Sequence, residues 1–200
     1  LSHIGPFSAI GLRRLSYVIP TASNVKTLDL SGNSINDDGL QALAVGLSRH
    51  PALERLDLSR NEIGSDGLRA LATTEISTLR LLNLSRNAIN DGALTVVAGG
   101  LAKLCNLETL DLANNNMITS PGLAVLTPIF RLESCSLKEM NLSRMNIEDS
   151  GAKVFAEALV GNESLTKLLF GWNNVTALGW SAFSTLLCDT SSVNNTYLSN

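Results

Sequence analysis

Apolar residues return along this chain in a phrase of constant shape. The phrase LxxLxLxxN, with Leu or a close apolar stand-in, begins at Val25, Leu53, Leu79, Leu107, Leu137, Leu165 and, cut short, at Val193. Successive starts lie 28, 26, 28, 30, 28 and 28 residues apart, a period typical of repeat architectures. Inside the phrase apolar and polar positions alternate, as in Leu28-Asp29-Leu30 and Leu56-Asp57-Leu58, which predicts a short strand with one buried face. After the Asn the period changes. Leu40, Leu43, Ala44 and Leu47 take helical spacing, and Leu68, Leu71 and Ala72, then Leu94, Val97, Ala98 and Leu101, repeat it. Each repeat therefore reads as a strand followed by a helix.

Strands of one orientation, each followed by a helix, pair in parallel with their neighbours along the array. Strands stack ~4.8 Å apart whereas packed helices prefer ~8–10 Å, so the helical side fans outward. The expectation is an α/β solenoid, curved, with a parallel sheet on the concave side and helices on the convex side. We read residues 1–200 as one domain of about six full repeats, with partial repeats at 1–24 and 193–200. Gly11, Leu12, Leu15, Ser16 and Ile19 align with the helical half of a repeat. Neither end has the polar cap that solenoids carry, which predicts a fragment of a longer array or ends covered by another domain or subunit.

Asp37, Ser65, Asp91, Ser120 and Asp149 occupy one aligned position at the helix starts and are predicted to cap them, with Thr176 acting one place earlier. Pro121 suits a first helical position, but Pro128 falls where that helix should continue, so it is expected to be short or kinked. Asn33, Asn61, Asn87, Asn115 and Asn173 form a ladder of inward amides satisfied by backbone groups. Met145 interrupts it, leaving either a shifted turn that uses Asn146 or a gap.

Composition adds exclusions. With 18 Asp and Glu against 15 Lys and Arg, no overall field favours nucleic acid or an anionic membrane, and no apolar run reaches the ~20 residues of a bilayer span. Three cysteines without a CxxC pair fit a reducing, cytoplasmic setting. Cys105 and Cys135 fall at equivalent positions and read as small buried hydrophobes. Five Asn-x-Ser/Thr triplets begin at Asn83, Asn141, Asn162, Asn174 and Asn194, but the repeat itself generates the first two. His3 and His50 lack zinc-ligand spacing, and no GxxxxGK(S/T), GxSxG or HExxH occurs. No catalytic centre, cofactor or small-molecule substrate is indicated.

The phrase LxxLDLSxNxIxDxGxxxLAxxL, seen from Val25 to Leu47 and again from Leu53 to Ala72, resembles the ribonuclease-inhibitor-like subfamily of leucine-rich repeats. That subfamily includes the repeat regions of NOD-like receptors and the Ran GTPase-activating proteins. The resemblance implies a leucine-rich-repeat solenoid over residues 11–200 and a protein partner. The cysteine richness and alternating repeat lengths of ribonuclease inhibitor itself are absent here.

Residues between the buried leucines point into the concavity, and the residue before the Asn lies at its rim. The central column reads Asp29, Asp57, Asn83, Asp111, Asn141, Leu169 and Tyr197; the rim reads Gly32, Arg60, Arg86, Asn114, Arg144, Trp172 and Asn200. The candidate partner-binding strip is Arg55, Asp57, Arg60, Arg86, Asp111, Arg144, Leu169, Trp172 and Tyr197, since Trp, Tyr and Arg dominate interface energetics. The Asp and Arg columns would equally arise as solvated ion pairs worth ~0–1 kcal/mol each. Trp172 departs from its column and calls for a partner, with Arg144 on its face as one option. Trp180 aligns with Leu40, Leu68 and Leu94 and is assigned to the core. The function expected is a protein-interaction scaffold or sensor; a GTPase activator using a rim arginine, or a structural spacer, are the alternatives.

Overall fold

The computed structural model describes residues 7–74, 76–101, 106–132, 136–184, 186 and 197–199. Strands β1 (Thr27–Asp29), β2 (Arg55–Asp57), β3 (Leu81–Asn83), β4 (Thr109–Asp111), β5 (Glu139–Asn141), β6 (Lys167–Leu169) and β7 (Tyr197–Ser199) form one parallel sheet in chain order. The helices are α1 (Ala9–Val18), α2 (Asp37–Leu47), α3 (Ser65–Ala72), α4 (Asp91–Leu101), α5 (Ser120–Leu126), α6 (Asp149–Leu159) and α7 (Ala177–Ser181). This is the predicted solenoid, and α1 supplies the helical half that Gly11 to Ile19 implied.

The core is continuous because each repeat contributes the same layers. Leu53, Leu56 and Leu58 from a strand meet Ile63 from the turn and Leu68 from the helix, all fully buried. Where α3 is only eight residues long, in the 26-residue repeat, an apolar void of about 20 Å³ remains among Leu68, Leu71, Leu82, Leu84 and Val97. Later repeats substitute rings for leucines. Phe155 meets Phe130 edge-on at 5.2 Å and stacks on Phe170 at 5.9 Å, and Phe170 touches Trp180 and Phe183 in turn. Trp180 thus packs against the core, as its column requires. Pro128 ends α5 at Leu126, and Thr127–Arg131 continues as a 3-10 turn.

The amide ladder joins neighbouring turns. Asn61 Nδ2 donates to the carbonyls of Leu30, Leu58 and Ser59, while its Oδ1 accepts from the amides of Asn33 and Ile35. Asn115 and Asn173 repeat this scheme two and four turns further on. At Met145 there is a gap: Met145 is buried, and Asn146 faces outward, accepting from the Asn174 side chain. The physical reason lies in the preceding turn. An extra residue between Asn115 and Ile118 lets the Ile118 amide donate to the Asn115 carbonyl, so it makes no demand on position 145. Elsewhere the equivalent amide, as in Ile35 or Ile89, requires the next Asn side chain.

The predicted caps need correction. Asp37, Ser65, Asp91, Ser120 and Asp149 are the first residues of their helices, and the caps precede them: Asn36 accepts from Gly39 N, Asn90 from Ala93 N and Thr176 from Leu178 N. The displaced Asp and Ser side chains reach the following repeat instead. Asp91 accepts from Thr119 N and Oγ1, Asp149 from Thr176 N and Oγ1, Asp37 from Gly64 N, and Ser120 from Glu148 N. Each clasp crosses to the loop entering the next helix. A Cβ at Gly122 would fall on the Asp91 carboxylate, so the clasp and that glycine require one another.

Candidate functional site

Among the described residues the rim column has one backbone conformation. Arg60, Arg86, Asn114, Arg144 and Trp172 have φ of 56° to 61°, and Gly32 has 66°. Left-handed backbone costs an L residue roughly 1–2 kcal/mol, so Gly32 shows what the turn itself prefers. The conformation is held from the next repeat. The amides of Arg60, Arg86, Asn114 and Arg144 donate to the carbonyls of Ser85, Ala113, Ser143 and Gly171 at 2.8–3.0 Å. The arginines project from the edge of the sheet and are exposed. Trp172 is 72% exposed, with the Arg144 guanidinium 4.6 Å from its ring centroid.

The central column does not pair with the rim as expected. Asp57 Oδ1 accepts from Ser59 N and Oδ2 from Asn83 Nδ2; Asp111 accepts from Ala113 N and Asn141 Nδ2; Asn83 and Asn141 in turn accept from Ser85 N and Ser143 N. A short side chain two residues before an amide closes a local turn more readily than it reaches an arginine across the rim. The column is a second ladder, half-buried and structural. Burial pushes the Asp111 carboxyl above the usual aspartate range, against the bonds from Ala113 and Asn141, with Asp57 adding to the rise.

Two other assignments change or sharpen. Tyr197 pairs with Lys167 and Ser199 with Leu169, two residues away from the register a start at Val193 implies. Leu198 takes the Leu168 column, and a shift of two keeps each residue on its face. Tyr197 therefore stands in the column of Thr27, Arg55, Leu81, Thr109, Glu139 and Lys167. Arg55 lies exposed in that same column, beside Leu81, while half-buried Leu169 ends the central one. The structure thus brings Arg60, Arg86, Arg144 and Trp172 into one row and sets Arg55, Asp57, Asp111 and Leu169 on the sheet face behind it, with Tyr197 placed by register alone, opposite Lys167. Cys105 and Cys135 lie outside the described residues.

The sequence reading missed a charge ladder at the strand starts. Lys26 bonds Glu54 at 2.8 Å, and Glu108 sits between Arg80 at 2.5 Å and Lys138 at 3.0 Å. Hydrogen bonding from Lys26 holds the Glu54 carboxyl below its ordinary value, and bonding from Lys138 does the same for Glu108, with Arg80 adding to it. The signal was present one residue after each repeat start, where the sign alternates as Lys26, Glu54, Arg80, Glu108 and Lys138. Of the Asn-x-Ser/Thr triplets, Asn162 is buried against the Phe130 carbonyl and Asn83 and Asn141 are ladder members. Among the described residues no group of three or more His, Cys, Asp or Glu could hold a metal ion, and no helix is long and apolar enough to cross a membrane.

Residues 21–44, 50–72, 76–98, 103–126 and 133–156 match the family described as Leucine Rich repeat. The chain is 26% identical over 177 residues to NACHT, LRR and PYD domains-containing protein 5 of Bos taurus, covering 88% of this chain and 13% of that protein. It is 28% identical over 182 residues to the ribonuclease inhibitor of Mus musculus, covering 91% and 33%. Against NACHT, LRR and PYD domains-containing protein 13 of Homo sapiens the identity is 30% over 199 residues, covering 96% and 19%. The chain spans about a third or less of each of these relatives.

Proposed function

Because the chain belongs to the leucine-rich-repeat family, in its ribonuclease-inhibitor-like group, we propose that it is a protein-interaction module holding a macromolecular partner against its concave face and rim. The partner-facing residues are Arg55, Arg60, Arg86, Arg144, Leu169, Trp172 and Tyr197, with Asp57 and Asp111 shaping the floor beneath them. One observation carries the reading. A large aromatic, 72% exposed, sits in a left-handed conformation that favours glycine, with an arginine guanidinium 4.6 Å over its ring. The turn is common to the whole rim, but a large exposed Trp beside an Arg is the residue pair in which interface energy most often concentrates. A rigid solenoid also presents such side chains with little ordering entropy left to lose on binding. We place this module in the cytoplasm, on an odd count of three cysteines with no CxxC spacing.

The test is capture from cell extract by wild type, by Arg144→Ala with Trp172→Ala, and by Val45→Lys, whose site on the outer face of α2 is exposed. The partner set is expected to survive Val45→Lys and to be lost in the rim double variant. Identical partner lists for wild type and the rim variant would overturn the proposal.

A further inference from the structure

Resting on that reading, we propose the chemical class of the partner at the rim: an extended acidic protein segment. Its carboxylates are forked by Arg60, Arg86 and Arg144, and an apolar side chain lies against the Trp172 indole.

Charge is the first argument. Along the strands the basic groups Lys26, Arg80, Lys138 and Lys167 each have a glutamate partner. Among the described residues no ion pair joins a carboxylate to Arg60, Arg86 or Arg144, and the Asp57 and Asp111 side chains are turned to amides instead. Three guanidiniums in one row are thus left unneutralised on a chain of net charge −3. The Arg144 guanidinium carbon lies 4.6 Å over the Trp172 ring, a cation–π contact that uses no N–H–to–oxygen bond, so a bidentate carboxylate can be accepted there as well.

Spacing is the second. Neighbouring strands lie ~4.8 Å apart, so Arg86, Arg144 and Trp172 fall roughly 5, 14 and 19 Å along the row from Arg60. An extended segment places alternate side chains about 7 Å apart on one side, so carboxylates at every second residue followed by an apolar residue reach all four positions. The comb is rigid, since the Arg60, Arg86 and Arg144 amides are bonded into the next repeat and the φ angles of all four positions agree within a few degrees.

The central column decides between an acidic peptide and a nucleic acid. Asp57 and Asp111 stand one column behind the rim, and a continuous phosphate chain would set negative charge against them. A peptide with uncharged alternate residues avoids that repulsion.

The test uses the whole chain and a fluorescein-labelled peptide Glu-Thr-Glu-Thr-Glu-Thr-Leu, its Gln counterpart, and a short oligouridylate RNA, read by fluorescence anisotropy. The acidic peptide is expected to bind saturably, and the Gln peptide and the RNA not to bind. Arg60→Gly with Arg86→Gly, which the left-handed backbone accepts, and Arg144→Ala with Trp172→Ala should each weaken it about tenfold or more. Added salt should weaken it as well. Peptide binding unchanged by these variants, no saturable binding, or rim-dependent binding of RNA alone would overturn the assignment. Rim-dependent capture from extract combined with a failed peptide series removes only the acidic-segment assignment. Rim-independent capture removes the reading beneath it.

Discussion

At the scale of single residues, the Asp clasps do the work that adjacency in sequence hides. Asp91 joins two repeats through Thr119 N and Oγ1, and Asp91→Ala is expected to cost about 1–2 kcal/mol in urea denaturation. Thr119→Val in the Asp91→Ala background should then cost little more, because the partner is already gone. The sequence showed a capping residue type at each helix start. It did not show that the oxygen turns to a loop 28 residues away, because Asn36 and Asp37 are both good caps and only packing chooses between them. The Asp side chains do not pair with the rim for a similar reason: the turn amide two residues on is within closer reach than the arginines. Asp111 also predicts a pH effect. Its carboxyl titrates above the ordinary 3.8, so its contribution is most favourable below that value and is lost as pH rises through the folded pKa. Asp111→Asn, which keeps an acceptor for Ala113 N, should raise the melting temperature at pH 7, with the gain vanishing below about pH 4. An equal gain at both pH values would mean burial of charge is not the cause.

At the scale of elements, the long repeat and the broken ladder are two sides of one adjustment. The extra residue before Ile118 closes its own turn, and the buried Met145 occupies the position that the next amide would otherwise fill. Met145→Asn should therefore be worth more when Asn116 is deleted than in the wild-type turn. A double-mutant cycle by chemical denaturation should give a coupling above about 1 kcal/mol; additivity within about 0.5 kcal/mol would show the two to be independent. The sequence exposed both departures, but their link is visible only where the Ile118 amide finds its acceptor. The ring cluster makes a second case. Phe155 touches Phe130 and Phe170 with no exposed surface, so Phe155→Ala should cost about 3–5 kcal/mol. Because repeats contact only their neighbours, hydrogen exchange should rise first around α6 and least around α2.

For the whole molecule, strand order, parallel pairing and helix placement followed from period alone, since each strand had one neighbour available on each side. The register of β7 did not, because Thr196 and Leu198 offer two frames for the same apolar phrase and only pairing with Leu168 selects one. The charge ladder acts at this scale too. Glu54 and Glu108 are held below their ordinary values by Lys26 and Lys138, so their stabilisation is present at neutral pH and is lost as pH falls through the lowered folded values. A Glu54→Gln, Glu108→Gln variant should melt lower than wild type at pH 7 in dilute salt, with the difference closing below about pH 4 and in concentrated salt.

The two tryptophans stand in opposite surroundings, one exposed at the rim beside Arg144 and the other between Phe170 and Phe183. Intrinsic emission therefore carries two separable signals, a red-shifted component from Trp172 and a bluer one from Trp180. Replacing Trp180 with Phe would leave a native fluorophore at the rim, able to follow a docking event in real time without any attached dye.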